Sequence, residues 1–417
     1  MTATLVEERA TPSRHGPLRV CHVVYSFYET DNRVIRYAER MSQDGHAVDV
    51  ISLRREGQSR GDVIKGVRIH RIQRRSVSER HAWQYLLKVL WFFAKTGAIL
   101  TVRHARRPYD VVHVHNVPDF LVFSALAPRL SGAGIILDIH DVLPELYASK
   151  FDGGGESRLF RALVAVERLS CRFAHHVIIA NHLWFDRVTR RSVPPARCSV
   201  MLNYPDLDLF RPVAVSERCR RGGFTILYPG TLNEHQGLDL AIRAFDLVRN
   251  RMPDATLQVY GEGPARESLE DLVRELGLGD RIAIRGRVPL VQVAEIMAAA
   301  NLGVVPKRAD GFGNEAFSTK ILEFMACGVP VVVSRTRVDA HYFDDRVVRF
   351  FTPGDVQGLA DALLWAYEHP EEAATMAKSG LAFADANSWQ LRADDYRGIV
   401  EALVTRRAGS VGSPRAH

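Results

Sequence analysis

The sequence predicts an α/β protein built from two doubly wound domains, on three observations. The chain has 417 residues and a mass of 46.8 kDa, too long for one ordinary core and suited to two domains of roughly 150–200 residues each. Short β-branched runs alternate with longer amphipathic segments, the pattern of a parallel sheet wrapped by helices. That alternation breaks off near residue 215 and then starts again.

The first series runs LRVCHVV, a helix from Arg33 to Met41, AVDVISL, a helix beginning at Trp83, DVVHV, Asp119 to Leu130, and IILDI. The second runs FTILYPG, Leu238 to Arg251, TLQVYG, Arg266 to Leu276, RIAIRG, Val291 to Ala300, LGVVP, Thr319 to Ala326, and VPVVVS. Between them, Asn203 to Gly223 carries Pro205, Pro212 and the Gly222-Gly223 pair without apolar periodicity. A linker is therefore expected at 206–223, between domains at 18–205 and 224–385. Tails are expected at 1–17 and 408–417. In open α/β sheets ligands sit at the carboxyl ends of the strands, so the chemistry of two such domains is expected in a cleft between them.

Composition narrows the function classes. With 47% hydrophobic and 25% charged residues, the chain matches a soluble globular protein. Its first seventeen residues are polar and lack the apolar stretch of a secretory signal, so a cytoplasmic location is expected. Cys21, Cys171, Cys198, Cys219 and Cys327 lie far apart with no redox or metal-ligand spacing, which fits reduced thiols.

The net charge of +7 is uneven: residues 1–222 hold 34 Lys+Arg against 22 Asp+Glu, leaving 21 against 26 beyond. From Arg54 to Arg107, about fourteen basic residues face three acids around the apolar run Trp83, Tyr85, Leu86, Leu87, Leu90, Trp91, Phe92 and Phe93. Lys88 and Lys95 interrupt that run, which argues against a membrane-crossing helix. A helix of this makeup suits the headgroup layer of an anionic membrane, so Trp83–Arg107 is expected to attach the chain peripherally to the inner face. Nucleic acid is not expected as a partner, because no zinc-finger, RNP or GXXG signature accompanies the charge.

The most informative stretch is NEAFSTKILEFMACGVPVVVS, Asn314 to Ser334. Glu315 and Glu323 are separated by seven residues, the second on a helix that stops at Cys327-Gly328 ahead of a buried strand. A carboxylate at a helix start can accept two vicinal hydroxyls of a sugar, and free amides there favour phosphate. Two glutamates at this spacing are common by chance; their setting makes them specific.

Glu315, Lys320, Glu323, Met325-Ala326, Gly328 and Pro330-Val331-Val332 together resemble the donor-site signature of the retaining GT-B glycosyltransferases of family 4. The resemblance covers nearly the whole chain. Asp31-Asn32-Arg33-Val34 with Gly45-His46 is similar to the opening helix of that family's acceptor domain, and DVVHVHNVPDF to its central strand. Asp138-Ile139-His140-Asp141 resembles the loop whose histidine lies beside the transferred sugar, and Tyr228 through Gly237 the donor-domain opening. Asn387-Ser388-Trp389 resembles the start of the terminal helix, here 386–407, that crosses back to the first domain.

The resemblance implies roles residue by residue. Glu315 should meet hydroxyls of the donor sugar and Glu323 the ribose of a nucleotide diphosphate. His140 should hydrogen-bond the sugar near the reacting carbon, in the neutral form suited to pH 7, with Asp141 orienting it or meeting the acceptor. Asp31, Arg33 and Asp119 are expected on the acceptor side. His113 and His115 read as structural. Gly261 and Gly263 of YGEGP resemble the family's donor-side glycine loop, and Arg287 sits where backbone commonly meets the base.

One departure stands out. Many members carry Arg just after the glycine matching Gly230 and Lys just before that matching Gly237, both clamping the diphosphate; here those positions are Thr231 and Gln236. The clamp is therefore expected to have moved, to Lys320 first and otherwise to Lys307 or Arg308. No Asp-x-Asp pair occurs at a strand end, which fits transfer without a bridging metal or other cofactor.

The expected function is retaining transfer of a hexose or modified hexose from a nucleotide-diphosphate sugar to a glycan or lipid-linked glycan. Two alternatives stand beside it: a non-catalytic subunit that binds nucleotide sugar, and a GT-B nucleotide-sugar epimerase.

Overall fold

A computed structural model of the chain describes residues 16–75, 82–150, 157–213 and 222–411. Most of the expected tail at 1–17, the end of the tail at 408–417, and residues 214–221 of the expected linker lie outside the described residues. The chain forms two compact units. The first comprises the described residues up to Ala148, those from 157 to Met201, and those from Ala393 onward; the second comprises Leu202–Arg392 with Ser149 and Lys150.

The first unit holds an eight-stranded sheet of β1 (Arg19–Val24), β2 (Ala47–Arg54), β3 (Gly61–Ile64), β4 (Val67–Arg74), β5 (Val111–His115), β6 (Gly134–Ile139), β7 (His176–Ile179) and β8 (Cys198–Val200). Its order is β3-β4-β2-β1-β5-β6-β7-β8. Every pairing is parallel except the β3–β4 hairpin. The central strands β1, β5 and β6 are buried at every position, which is why they read as mainly β-branched apolar runs, interrupted by Arg19, His22, His113, His115 and Asp138. The hairpin strand β4 instead alternates, burying Val67, Ile69, Arg71 and Gln73 and leaving the residues between them more open. Half-polar alternation of this kind was not legible as part of the buried series.

Helices α1 (Asn32–Gln43), α2 (Ala82–Arg106), α3 (Leu126–Leu130), α4 (Leu143–Lys150), α5 (Arg158–Phe173) and α6 (His182–Arg191) connect these strands. Asp31 caps α1, its carboxylate accepting from the Val34 amide at 3.3 Å, a bond that satisfies one of the helix's unpaired amides.

The second unit holds six parallel strands, β9 (Phe224–Pro229), β10 (Ala255–Tyr260), β11 (Ile282–Arg285), β12 (Leu302–Val305), β13 (Val331–Ser334) and β14 (Arg349–Phe351). Their order is β11-β10-β9-β12-β13-β14. The helices are α7 (Leu238–Val248), α8 (Arg266–Glu275), α9 (Leu290–Ala299), α10 (Thr319–Ala326), α11 (Arg337–Tyr342), α12 (Val356–Glu368), α13 (Pro370–Ala386) and α14 (Trp389–Val411). Successive strand residues serve opposite faces. Val304 packs with Phe245, Ile242 and Leu363 on one side of the sheet, while Val305 packs with Phe324, Met297 and Ile321 on the other. Helices thus cover both faces, the doubly wound arrangement expected from the sequence.

The division after Met201 precedes the linker expected at 206–223. Phe210 explains the difference: it is fully enclosed in the second unit's core, with Leu207 and Leu209 packed beside it. At the other end, α14 crosses back to the first unit. Its Tyr396 is fully buried there and lies 4.3 Å from the Tyr37 ring, centroid to centroid, and Asp394 pairs with Arg40 at 3.1 Å.

Candidate active-site groups

In each sheet, strand order reverses direction at one place, between β1 and β5 in the first unit and between β9 and β12 in the second. Crevices of open α/β sheets form at the carboxyl ends of the strands at such points, and the residues singled out by the sequence cluster there.

In the first unit the cluster is organised by Asp138, the last but one residue of β6. Arg33 grips its carboxylate with two bonds, Nε to Oδ2 at 2.8 Å and Nη2 to Oδ1 at 2.7 Å, and donates a third bond to the Met201 carbonyl at 2.7 Å. His115 Nδ1 and His140 Nε2 each lie 3.0 Å from the same Oδ2. The network assigns the tautomers: with His115 Nδ1–H donating to Asp138, its Nε2 accepts from His22 Nδ1–H at 3.1 Å. His113 Nδ1 lies 3.0 Å from the Tyr396 hydroxyl.

The charges follow from these contacts. Burial raises the carboxyl pKa of Asp138, but Arg33 beside it and the two histidines outweigh burial and hold it well below the usual range. Burial lowers His22, His113 and His115. His140 moves the other way: burial works against its charge, yet Asp138 raises its pKa above the ordinary value. The shift runs toward the protonated ring, because the Asp138 carboxylate two residues away favours the imidazolium while burial opposes it.

Asn116 builds the turn that presents His140. Its side-chain oxygen accepts from the His140 amide at 2.7 Å, and its amide donates to the Asp141 carbonyl at 2.7 Å and to Asp119 Oδ1 at 2.8 Å. Asp119 is 1% exposed, and burial raises its carboxyl to about 7 despite the Asn116 bond. In this position it supports the turn from inside. Asp31 caps α1 and accepts from Ser26 Oγ at 2.7 Å, and Arg33 is buried beneath Asp138. The residues expected on the acceptor side are thus built into the framework under His140, whose side chain remains 21% exposed.

Two groups of side chains bring three metal-ligating atoms within 4.8 Å of one another, His22 with His113 and His115, and His115 with Asp138 and His140. In the second group the bidentate Arg33 guanidinium already neutralises Asp138, so a cation there would meet like charge. The first group is entirely imidazole and enclosed by the sheet.

In the second unit the corresponding loops follow β9, β10 and β12. Backbones approach closely: the Gly230 amide donates to the Tyr260 carbonyl at 2.8 Å and the Leu232 amide to the Glu262 carbonyl at 3.0 Å. A Cβ on Gly261 would stand 1.7 Å from the Gly230 carbonyl oxygen, and one on Gly263 would stand 2.3 Å from that of Leu232. Those glycines therefore serve loop-to-loop packing, which requires that no side chain intervene. Arg287 is exposed beyond them.

Lys320, in the first turn of α10, reaches the head of this loop. Its ammonium lies 5.2 Å from the Tyr228 ring centroid, and a Cβ on Gly230 would be 3.1 Å from Nζ. That places a cation next to Thr231, the position where the expected arginine is missing. Burial lowers the Lys320 pKa from its ordinary 10.5 to about 8; Glu323 and Asp339 pull it up, and Lys307 adds to the lowering.

Lys307 and Arg308 are placed differently. Lys307 is 2% exposed, pairs with Asp339 at 2.8 Å and donates to the Ala316 carbonyl, which fixes the loop after β12 to α11. Arg308 pairs with Asp239 at 2.5 Å. Gln236 is held by its own bond from the Tyr228 hydroxyl at 3.0 Å. Glu315 and Glu323 are 8% and 7% exposed; Arg337 lies 3.3 Å from Glu315. The result is two buried carboxylates, Glu315 ahead of α10 with Arg337 beside it and Glu323 in the middle of that helix, with the Lys320 ammonium in its first turn, a mixture of charges suited to hydroxyls and a diphosphate together.

Residues 30–203 match the family described as Glycosyl transferase 4-like domain, and residues 216–382 match Glycosyl transferases group 1. A GDP-mannose-dependent alpha-(1-6)-phosphatidylinositol monomannoside mannosyltransferase of Mycolicibacterium smegmatis is 30% identical over 175 residues, 41% of this chain and 45% of that enzyme. The match therefore spans about half of that relative's length. A D-inositol 3-phosphate glycosyltransferase of Kribbella flavida is 26% identical over 398 residues, 89% of this chain and 91% of that protein. Among solved structures, sucrose-phosphate synthase from Thermosynechococcus elongatus shares the fold with a TM-score of 0.75 at 19% identity, over 93% of this chain and 100% of that one.

Proposed function

Because the chain belongs to the GT-B glycosyltransferases of family 4, we propose that it moves a hexose or modified hexose from a nucleotide-diphosphate sugar to a glycan or lipid-linked acceptor, with the anomeric configuration retained. The observation that carries the donor assignment is the position of Lys320, whose ammonium stands against Gly230 at the head of the β9 loop. Glu323, one helical turn further along α10, meets the ribose hydroxyls, Glu315 meets the sugar, and Lys320 takes the diphosphate that Thr231 and Gln236 cannot hold. The names of the two curated relatives support this reading, one for a nucleotide sugar as donor and both for inositol-containing acceptors.

The first unit contributes His140. With Nε2 turned to Asp138, Nδ1 is the nitrogen offered to the transferred sugar, and a proton there, favoured by Asp138, stabilises negative charge developing on an oxygen beside it. Asp138, His115 and Arg33 are positioning residues: they set the tautomer, the ring plane and the charge. The leaving diphosphate accepts the acceptor's proton, and Lys320 supplies the cation that a divalent metal supplies in other transferases, so the reaction proceeds with no metal or other cofactor.

The test is transfer from candidate nucleotide sugars to inositol-containing acceptors in the presence of EDTA, with product configuration read by NMR. The expected result is a product of the donor's own configuration, lost in Glu315→Ala. A product of opposite configuration, or activity restored only by divalent metal, overturns the mechanism; donor binding without transfer supports the non-catalytic alternative.

A further inference from the structure

The helix α2 has an outer face that the first unit's core does not use. Among the described residues, Trp83–Arg106 is the one helix long and apolar enough to cross a membrane by length and composition, and only 22% of its most apolar stretch is enclosed by the protein. The enclosed side is a single seam, Val89, Phe92, Thr96, Leu100 and His104, at the spacing that puts residues on one helix face. Gln73 also donates to the Lys88 carbonyl at 2.8 Å. The helix is thus packed against its own domain along one seam, the arrangement of a helix lying on a surface rather than crossing it.

The opposite face is apolar and open. Trp83, Leu87, Leu90 and Trp91 are 61%, 56%, 44% and 58% exposed, and Val102 is 51% exposed. The surface continues onto α3, where Leu126 and Leu130 are 52% and 75% exposed, across a shallow cavity of about 360 Å³ that both helices line. The charges that α2 itself carries are of one sign: residues 82–107 contain Lys88, Lys95, Arg103, Arg106 and Arg107 and no Asp or Glu. At the carboxyl end of α2, Arg103, Arg106 and Arg107 line a second cavity, of about 480 Å³, with Ile99 and Val102 as its apolar wall.

We propose that α2 and α3 together form a docking face for an anionic phospholipid bilayer, lying flat with the tryptophan and leucine side chains among the acyl chains and the arginine-lined cavity receiving a headgroup phosphate. An apolar strip beside cations of a single sign fits a surface that is apolar inside and negative at its rim. A second copy of the chain fits less well. In a two-fold contact the same strip meets itself, which brings lysines and arginines against one another with no acid in the segment to offset them. The inference rests on α2 and α3 and is independent of the donor reading.

The test is co-sedimentation of the full chain with vesicles of phosphatidylcholine alone or mixed with phosphatidylglycerol. Strong binding to the anionic vesicles and weak binding to the neutral ones is expected. Leu87→Gln with Trp91→Gln should abolish binding while leaving the thermal unfolding midpoint and the circular dichroism spectrum of the chain unchanged. Lys88→Gln, Lys95→Gln and Arg106→Gln together should weaken anionic binding on the order of 100-fold, at about fivefold per cation. Equal binding to both vesicles, no binding to either, or a lipid-free dimer that Leu87→Gln with Trp91→Gln dissociates, overturns the proposal.

Discussion

Asp138 in the first unit and Lys320 in the second are both drawn into the protein, and the two are treated in opposite ways. Asp138 meets a bidentate arginine and two imidazoles, so its charge is held firmly despite full burial. Lys320 meets an aromatic face and a glycine, and its proton is loosened to a pKa of about 8. The charge of the first is compensated by side chains bonded to it within the fold; the second rests against a ring and a backbone, and under the proposed function a diphosphate would complete it.

The largest effect that separates them is on stability. Asp138→Ala strands the Arg33 guanidinium inside the sheet, and removing one partner of a buried pair costs about 3–5 kcal/mol; thermal unfolding should register it clearly. Lys320→Met should leave unfolding nearly unchanged or raise the midpoint, because a poorly solvated charge is removed. An equal loss of stability in both variants would break the contrast.

The next effect is on donor affinity. Lys320→Met removes charged hydrogen bonds to the diphosphate, about 1.5–3 kcal/mol, which titration of a nucleotide diphosphate reads as a loss of roughly tenfold to a hundredfold. Affinity should also fall with rising pH. Free Lys320 loses its proton above about pH 8, while a bound diphosphate favours the charged form, so binding takes up a proton above that pH and weakens by up to about tenfold per pH unit. In Lys320→Met this alkaline decline should be absent.

The smallest effect concerns Arg308. Its pair with Asp239 is partly exposed, and exposed pairs contribute about 0–1 kcal/mol. Arg308→Gln is expected to change both stability and donor affinity only slightly, and a large loss of affinity would move the phosphate clamp from Lys320 to Arg308.

What was legible in the sequence follows from how local the signal is. Fully buried parallel strands such as VVHVH and VPVVVS announce themselves, and so does a strand-loop-helix unit bearing Glu315, Lys320 and Glu323 within nine residues of one another. Pairings between distant positions do not. Tyr396 meets His113 across 283 residues, Arg33 meets Asp138 across 105, and Arg308 meets Asp239 across 69. His22 and Asn116 gave no signal of their own, because their roles exist only once β1, β5 and β6 lie side by side. Phe210 was hidden for the same reason: one aromatic residue in a proline-bearing stretch lacks periodicity, yet it anchors that stretch to the second core.

The most direct test of the donor assignment is calorimetric titration of the full chain with uridine, guanosine and adenosine diphosphate sugars, alongside Lys320→Met. The account predicts saturable binding of at least one of them, weakened roughly tenfold or more by the substitution. Absence of binding by every nucleotide sugar, or binding that Lys320→Met leaves unchanged, would contradict it.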